Sequence, residues 1–114
     1  MARVAEHARP GRLRVRPIHV VQLDKPRPAV VLTRAAVLDV RSLVTVAPIT
    51  TTIRGLSVEV PVGAANGVQV ESVVNLDATV TVARAALGRQ IGYLFDSQEP
   101  DLAAAIRHAF DLSG

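Results

Sequence analysis

Prolines, glycines and polar turns cut this chain into short apolar runs, and no stretch before residue 96 has the length or periodicity of a substantial helix. The runs are rich in β-branched residues. Ile18-His19-Val20-Val21-Gln22-Leu23 is interrupted by Asp24-Lys25-Pro26-Arg27-Pro28 and resumes as Ala29-Val30-Val31-Leu32-Thr33. That pattern predicts two strands about a short turn. A third strand is predicted over Leu43-Val44-Thr45-Val46-Ala47, after a connection with room for a helical turn over 34–42. Leu56-Ser57-Val58-Glu59-Val60 alternates apolar and polar residues, and Val70–Leu76 reads as a further strand. Between them Gly63, Asn66 and Gly67 supply turn chemistry, since both residue types tolerate positive φ. Ala83–Leu87 predicts one helical turn ended by Gly88, and Arg89–Leu94 a closing strand.

A helix is predicted only after that. Asp96 or Ser97 suits its N-cap, Glu99 suits a capping box with Asp96, and Pro100 is tolerated in a first turn. Leu102, Ile106, Ala109 and Phe110 recur at helical spacing, so one face is expected to be buried. Several short strands with one terminal helix point to a small β-barrel or curled sheet.

Composition bounds the function. With 114 residues there is room for one domain, and 49% hydrophobic residues exclude wholesale disorder. No cysteine is present, which removes disulfides, thiol nucleophiles and thiolate metal sites. His7, His19 and His108 never approach a ligand spacing, so neither a structural metal nor a cofactor is expected. The only aromatic residues are Tyr93, Phe95 and Phe110, leaving little for base stacking. The formal charge of +3 is carried by the leader, where five arginines within the first 16 residues face one acid, Glu6. Residues 1–15 accordingly read as a mobile basic arm and 16–114 as a single domain. Neither a secretory signal nor an apolar run of bilayer length is visible, so a soluble, cytoplasmic protein with no membrane partner is expected.

Two segments carry candidate chemistry. Arg27 opens one strand, and Thr50-Thr51-Thr52 closes another. If those strands are antiparallel neighbours, their polar ends share one edge of the sheet. A guanidinium fork beside a hydroxyl can then grip a phosphate. Equally, Arg27 can be a solvated strand-end charge and the threonines ordinary strand formers.

In the order Ile18–Asp24, Arg27-Pro28-Ala29-Val30-Val31-Leu32 and Val46-Ala47-Pro48-Ile49-Thr50, the chain resembles the MazF/PemK toxins of bacterial toxin–antitoxin modules. Ser72-Val73-Val74-Asn75-Leu76-Asp77 and Leu87-Gly88-Arg89-Gln90-Ile91-Gly92 follow in the same family order, so the resemblance runs from about Arg16 to Leu112. It implies an SH3-like barrel of five to seven short strands with a C-terminal α-helix, usually a homodimer. It also implies a metal-independent, sequence-selective endoribonuclease acting on single-stranded RNA (mRNA, rRNA or tRNA) and neutralised by a cognate antitoxin protein. Arg27 and Thr50 match the family's catalytic pair. The implied chemistry is attack of a ribose 2′-OH on its own 3′-phosphate, leaving a 2′,3′-cyclic phosphate and a 5′-OH end.

The chain departs from the family in two places. The loop between the first two strands is reduced to about Lys25-Pro26, so a loop carboxylate or aromatic clamp has no counterpart. After Asp77 the sequence Ala78-Thr79-Val80-Thr81 replaces the usual Gln-Ile-Arg-Thr, so RNA contacts there must differ. Asp24 can orient Arg27 or accept the 2′-OH proton, with orientation the first reading. Lys25, Thr51, Thr52 and Arg54 are candidate RNA contacts. Thr51 and Thr52 alternate sides, so at most one is expected beside Thr50. Arg84 and Arg89 can line a groove or be solvated, and His19 is expected to be a packed structural residue with His108 on the outer helix face. Two readings from other classes are a gyrase-binding poison like the CcdB toxins and a plain RNA-binding barrel.

Overall fold

Strand β1, Arg14–Gln22, turns back through Leu23–Lys25 into β2, Pro26–Val31, in a computed structural model that describes residues 14–112. The expected mobile arm falls on residues 1–13, outside that range, except that Arg14 and Val15 belong to β1. The turn closes through the Leu23 N–H donating to the Lys25 carbonyl at 3.2 Å. β2 starts three residues earlier than expected, because Pro26 and Pro28 pair with Gln22 and Val20. A short α1, Ala35–Leu38, fills the connection to β3, Leu43–Thr50.

β4 (Glu59–Val62), β5 (Ser72–Asn75), β6 (Val80–Ala83), β7 (Leu87–Phe95) and α2 (Glu99–Ala109) complete the chain. The seven strands form one curled, mainly antiparallel sheet in the order β4-β5-β3-β2-β1-β7, with β6 also paired to β3. A proline inside a central strand is unusual, since it cannot donate to the ladder. Pro48 is accommodated where one flank of β3 passes from β6, paired over Leu43–Val46, to β5, paired at Ile49 and Thr50.

Period-2 alternation splits the apolar residues between two faces. On one, Ile18, Val30, Ala47, Ile49, Val60, Val74, Leu76 and Leu94 are covered by Leu102 and Ala105 of α2. On the other, Val21, Ala29, Val31, Val44 and Val46 form a smaller cluster flanked by Leu38, Val82 and Leu87. Gly67 and Gly92 let two backbone segments touch. A Cβ on Gly92 would lie 1.7 Å from the Asn66 carbonyl oxygen, and Gly67 has φ +86°. Asn66, buried in the same turn, donates to the Tyr93 carbonyl at 2.9 Å and to Gln98 Oε1 at 2.8 Å.

Several expectations are corrected. The strand at Leu56–Val60 is displaced to Glu59–Val62, and Val70–Leu76 shortens to Ser72–Asn75 because Leu76 enters a 3-10 turn. β6 is a strand that was not expected, although Thr79-Val80-Thr81-Val82 alternates in β-branched residues and Val82 packs against the smaller core cluster. The turn at Ala83–Leu87 is a 3-10 turn over Arg84–Ala86, with β7 beginning at Leu87. Asp96–Gln98 is another 3-10 turn, and α2 starts at Glu99 without a side-chain cap. Glu99 forms no capping box with Asp96. Its carboxylate instead takes a bidentate pair from Arg16, Nε to Oε2 at 2.6 Å and Nη2 to Oε1 at 3.0 Å. Arg16 Nη1 also donates to the Leu32 carbonyl at 2.8 Å, so one guanidinium ties β1, the end of β2 and the first turn of α2. Charge-assisted fork geometry outcompetes the weaker local cap.

Phe110 lies beyond the end of α2 and is 59% exposed, so the buried face is Leu102 and Ala105 with Ile106 and Ala109 packed against them. Leu102→Ala is expected to destabilise the fold by about 2–5 kcal/mol through the cavity it leaves. Phe110→Ala should stay within about 0.5 kcal/mol. Urea unfolding of the two variants side by side checks the assignment.

Candidate active site

The β2–β3 ladder pairs Ala29 with Pro48, Val30 with Ala47 and Val31 with Val46. The same register continued two residues sets Arg27 opposite Thr50. Directly opposed residues in an antiparallel pair project from one face, their Cβ atoms about 5 Å apart. Pro26 and Pro28 have no N–H to extend the ladder, so the strands part here and the rim opens. The conditional reading of the sequence therefore holds: β2 and β3 are antiparallel neighbours, and the arginine that opens one meets the threonine that closes the other.

Two clefts flank this pair, and Arg27, Ile49 and Thr50 line both. The first, of about 520 Å³, runs past Lys25, Thr51, Gln69 and Arg89 and contains no carboxylate. The second, of about 510 Å³, is bounded by Asp24, Thr52, Arg54, Glu59, Asn75 and Asp77. Lys25, Thr51, Thr52 and Arg54, singled out as RNA contacts, thus line the two clefts on either side of Arg27 and Thr50. Thr51 lines the first cleft and Thr52 the second, each together with Thr50, although at most one was expected beside it; both lie beyond the end of β3, where strand alternation no longer applies.

Asp24 grips Arg27 through both carboxylate oxygens, Nε to Oδ1 at 2.8 Å and Nη2 to Oδ2 at 3.0 Å. The hydrogen bond from Arg27 is the main reason the Asp24 carboxyl is held down to about 2, and the same contact raises the guanidinium. Such a carboxylate is a poor proton acceptor near neutrality. Both groups are solvent-exposed, so the pair adds little to stability and its effect is geometric: it fixes the plane of the guanidinium. The edge carrying Nη1 and the second Nη2 hydrogen remains to meet an anion. Thr50 Oγ1 accepts the Thr52 backbone N–H at 3.1 Å, which leaves its own proton to donate.

Glu59 was read from the sequence only as a polar position of an alternating strand. Its Oε1 accepts backbone N–H groups from Gly55 at 2.9 Å and from Arg54 and Leu56 at 3.2 Å, and Oε2 accepts from Arg54 at 3.2 Å. The available signal was an acid four residues beyond a glycine in a polar segment, within reach of that segment's own amides. Asn75 and Asp77 were also missed as site-lining residues; Asn75 Oδ1 accepts the Asp77 N–H at 3.0 Å and shapes that wall. Arg89 lines the first cleft, whereas Arg84 lies elsewhere, donating to the Asp39 carbonyl. His19 is half-buried and its Nδ1 donates to the Gly88 carbonyl at 2.8 Å, while His108 is exposed on α2. Among the described residues no three His, Asp or Glu side chains converge as a metal-ligand set, and no helix is long and apolar enough to cross a membrane.

Known proteins share both the sequence and this architecture. Over 98 residues the chain is 60% identical to endoribonuclease MazF3 of Mycobacterium tuberculosis (strain CDC 1551 / Oshkosh), covering 86% of this chain and 95% of that one. The solved structure of the Mycobacterium tuberculosis toxin MazF-mt6 superposes with a TM-score of 0.85 at 60% identity, covering 87% of this chain and all of that one. A MazE–MazF structure from Deinococcus radiodurans matches at a TM-score of 0.66 and 27% identity, covering 83% and 94%. The family of PemK-like, MazF-like toxins of type II toxin–antitoxin systems matches residues 15–110, and the chain belongs to it.

Proposed function

We propose that this toxin cleaves single-stranded RNA at the rim where Arg27 and Thr50 meet, with the ribose 2′-oxygen as nucleophile. The chain is a MazF-type endoribonuclease by its family and its relatives. The observation that carries the site assignment is the β2–β3 register, which aims a fork of donors and a hydroxyl donor at one shared volume.

In the reaction the 2′-oxygen attacks phosphorus as its proton passes to water, and the 5′-oxygen of the next nucleotide leaves and takes a proton from water, giving a 2′,3′-cyclic phosphate and a 5′-OH. Negative charge grows on the non-bridging oxygens. Donors fixed in advance where that charge develops stabilise it most, because they need no reorganisation. Arg27 supplies this stabilisation through its free edge, and the Thr50 hydroxyl orients the phosphate. Asp24 acts as a positioning residue. With its carboxyl held near 2 it does not take the 2′-OH proton, which leaves to water in an open cleft. Lys25, Thr51 and Arg89 track the RNA backbone along the carboxylate-free cleft, and Thr52 and Arg54 contact it on the other side.

The toxin acts in the cytoplasm as a homodimer and is neutralised by a cognate antitoxin. Large apolar side chains left at the surface, among them Val40, Leu43, Ile53 and Val70, support protein partners of both kinds.

Arg27→Ala and Thr50→Ala are each expected to lower kcat by about 10²–10³-fold while unfolding at the wild-type midpoint. Arg27→Lys should not rescue, because an ammonium cannot hold the Asp24 fork and a phosphate at once. Cleavage of an RNA pool in EDTA, with mass analysis of the new 3′ ends, checks both points; wild-type rates in both alanine variants would remove the pair from the mechanism. A binding module would leave no cyclic phosphate ends.

Asp24 carries a depressed carboxyl, so its favourable pairing is present above the ordinary carboxylate range and is lost only as pH falls towards about 2. The rate profile between pH 5 and 8 should therefore show no limb belonging to Asp24. Asp24→Asn should lower kcat by about tenfold, equivalent to one charge-assisted hydrogen bond, with the shape of the profile unchanged. A limb that disappears in Asp24→Asn would make Asp24 the base.

A further inference from the structure

Between the end of β3 and Val58, residues 51–57 are all exposed and form neither helix nor strand. This segment makes one wall of the second cleft through Thr52, Arg54 and Leu56. Its two large apolar side chains, Ile53 and Leu56, are each 50% exposed, so burial does not hold the wall in place. Exposed segments of this kind open locally at little cost. The wall is nevertheless defined, and its ties are few. Thr50 Oγ1 takes the Thr52 N–H, the Leu56 carbonyl takes the Glu59 N–H at 3.1 Å, and Glu59 takes three successive amides with one carboxylate.

Successive amides that turn inward, with a left-handed residue among them, form a concavity for an anion. Gly55 supplies that conformation at φ +73°. Here the anion is the chain's own Glu59, rooted at the first residue of β4 opposite Asn75. Its oxygens are turned onto backbone donors and away from a passing phosphodiester. Arg54 gains most from this arrangement, because its amide meets both carboxylate oxygens, at 3.2 Å each.

We propose that Glu59 is a positioning residue for RNA cleavage: by clamping the amides of Arg54, Gly55 and Leu56 it holds Arg54 over the second cleft, where its guanidinium takes the phosphate next to the one being cut. This inference rests on the site proposed above. It separates two tasks within the groove. Arg27 and Thr50 act on the phosphate whose charge changes, and the Glu59–Arg54 unit binds a neighbour whose charge does not. Contacts that are equal in the ground and transition states lower KM and leave kcat alone.

The test is Glu59→Gln in the full chain, which keeps the size of the side chain but turns an amide group towards the loop's own N–H donors. The expected result on a mixed-sequence single-stranded RNA pool is a KM raised roughly 3–10-fold with kcat within about twofold. Arg54→Ala should do the same, and the double variant should be no worse than Arg54→Ala, since the two act through one contact. The salt dependence of kcat/KM should flatten by about 0.7 in log–log slope in each variant, the signature of one lost phosphate contact on a single strand. Hydrogen exchange at the Arg54–Leu56 amides of Glu59→Gln should quicken without a change in the unfolding midpoint. Additive effects of the two substitutions, an unchanged salt slope, or a fall in kcat with KM unmoved would each overturn the assignment. The exchange measurement needs no RNA, and Arg27→Ala independently tests the nuclease site, so failure of one reading is distinguishable from failure of the other.

Discussion

The site depends on one constraint, the antiparallel register between β2 and β3. Because side chains in a strand alternate with a period of two, a slip of one residue would send Arg27 and Thr50 to opposite faces and leave no common volume between them. That register is pinned from both sides of the sheet. Val30 and Ala47 are fully buried beneath α2, and Ala29, Val31 and Val46 are fully buried on the opposite face. A strand buried on both faces has no solvent side towards which a slipped register could relax, so valine packing that has no chemistry of its own fixes how Arg27 and Thr50 face one another.

Prolines convert this rigid centre into an open rim. Pro26 and Pro28 keep β2 extended and paired with β1, yet offer no donors towards β3, so the last pair of residues is carried to the edge without being stitched across. The rim then spends its ionic contacts on orientation. Asp24 uses one edge of the Arg27 guanidinium to fix its plane, Thr52 occupies the acceptor side of Thr50, and Glu59 saturates the amides of the next loop. A local acceptor at Arg27 and a local donor at Thr50 each leave a further donor for the groove. The recurrence matters because a polyanionic substrate is met by hydrogens whose directions are already set.

What could be read from the sequence follows the same division. Strand formers between Pro and Gly placed the centre of the sheet, because backbone-restricting residues leave a local trace, whereas Arg27 and Thr50 stood out from their polar neighbours only through the family resemblance. β6 was missed: Val80–Ala83 is a four-residue, largely exposed strand held by its long-range ladder to β3, and the short Thr-Val alternation that marks it has no flanking proline or glycine to delimit it. Glu99 was misassigned for a related reason. Its capping pattern with Asp96 is local, but Arg16 lies 83 residues away and offers a bidentate partner that no window of sequence contains. Glu59 escaped because a carboxylate that binds backbone amides looks, in sequence, like any polar residue facing water.

The shortened turn between β1 and β2 sharpens the question of where proton transfer is managed. Only Leu23–Lys25 separate the strands, so no side chain from a long loop can be folded over the groove. Of the carboxylates that line it, Asp24 is committed to a guanidinium and Glu59 to three amides, with Asp77 the third on the wall of the second cleft, and the half-buried His19 of β1 spends its Nδ1 proton on a backbone carbonyl. In the reaction proposed above, such a site lowers the barrier by charge stabilisation and alignment of the attacking oxygen. It favours substrates whose nucleophile is supplied in the same molecule as the phosphate, since alignment then needs only one grip. RNA meets that condition through its 2′-hydroxyl, and DNA does not, so the proposed reaction also discriminates between the two nucleic acids.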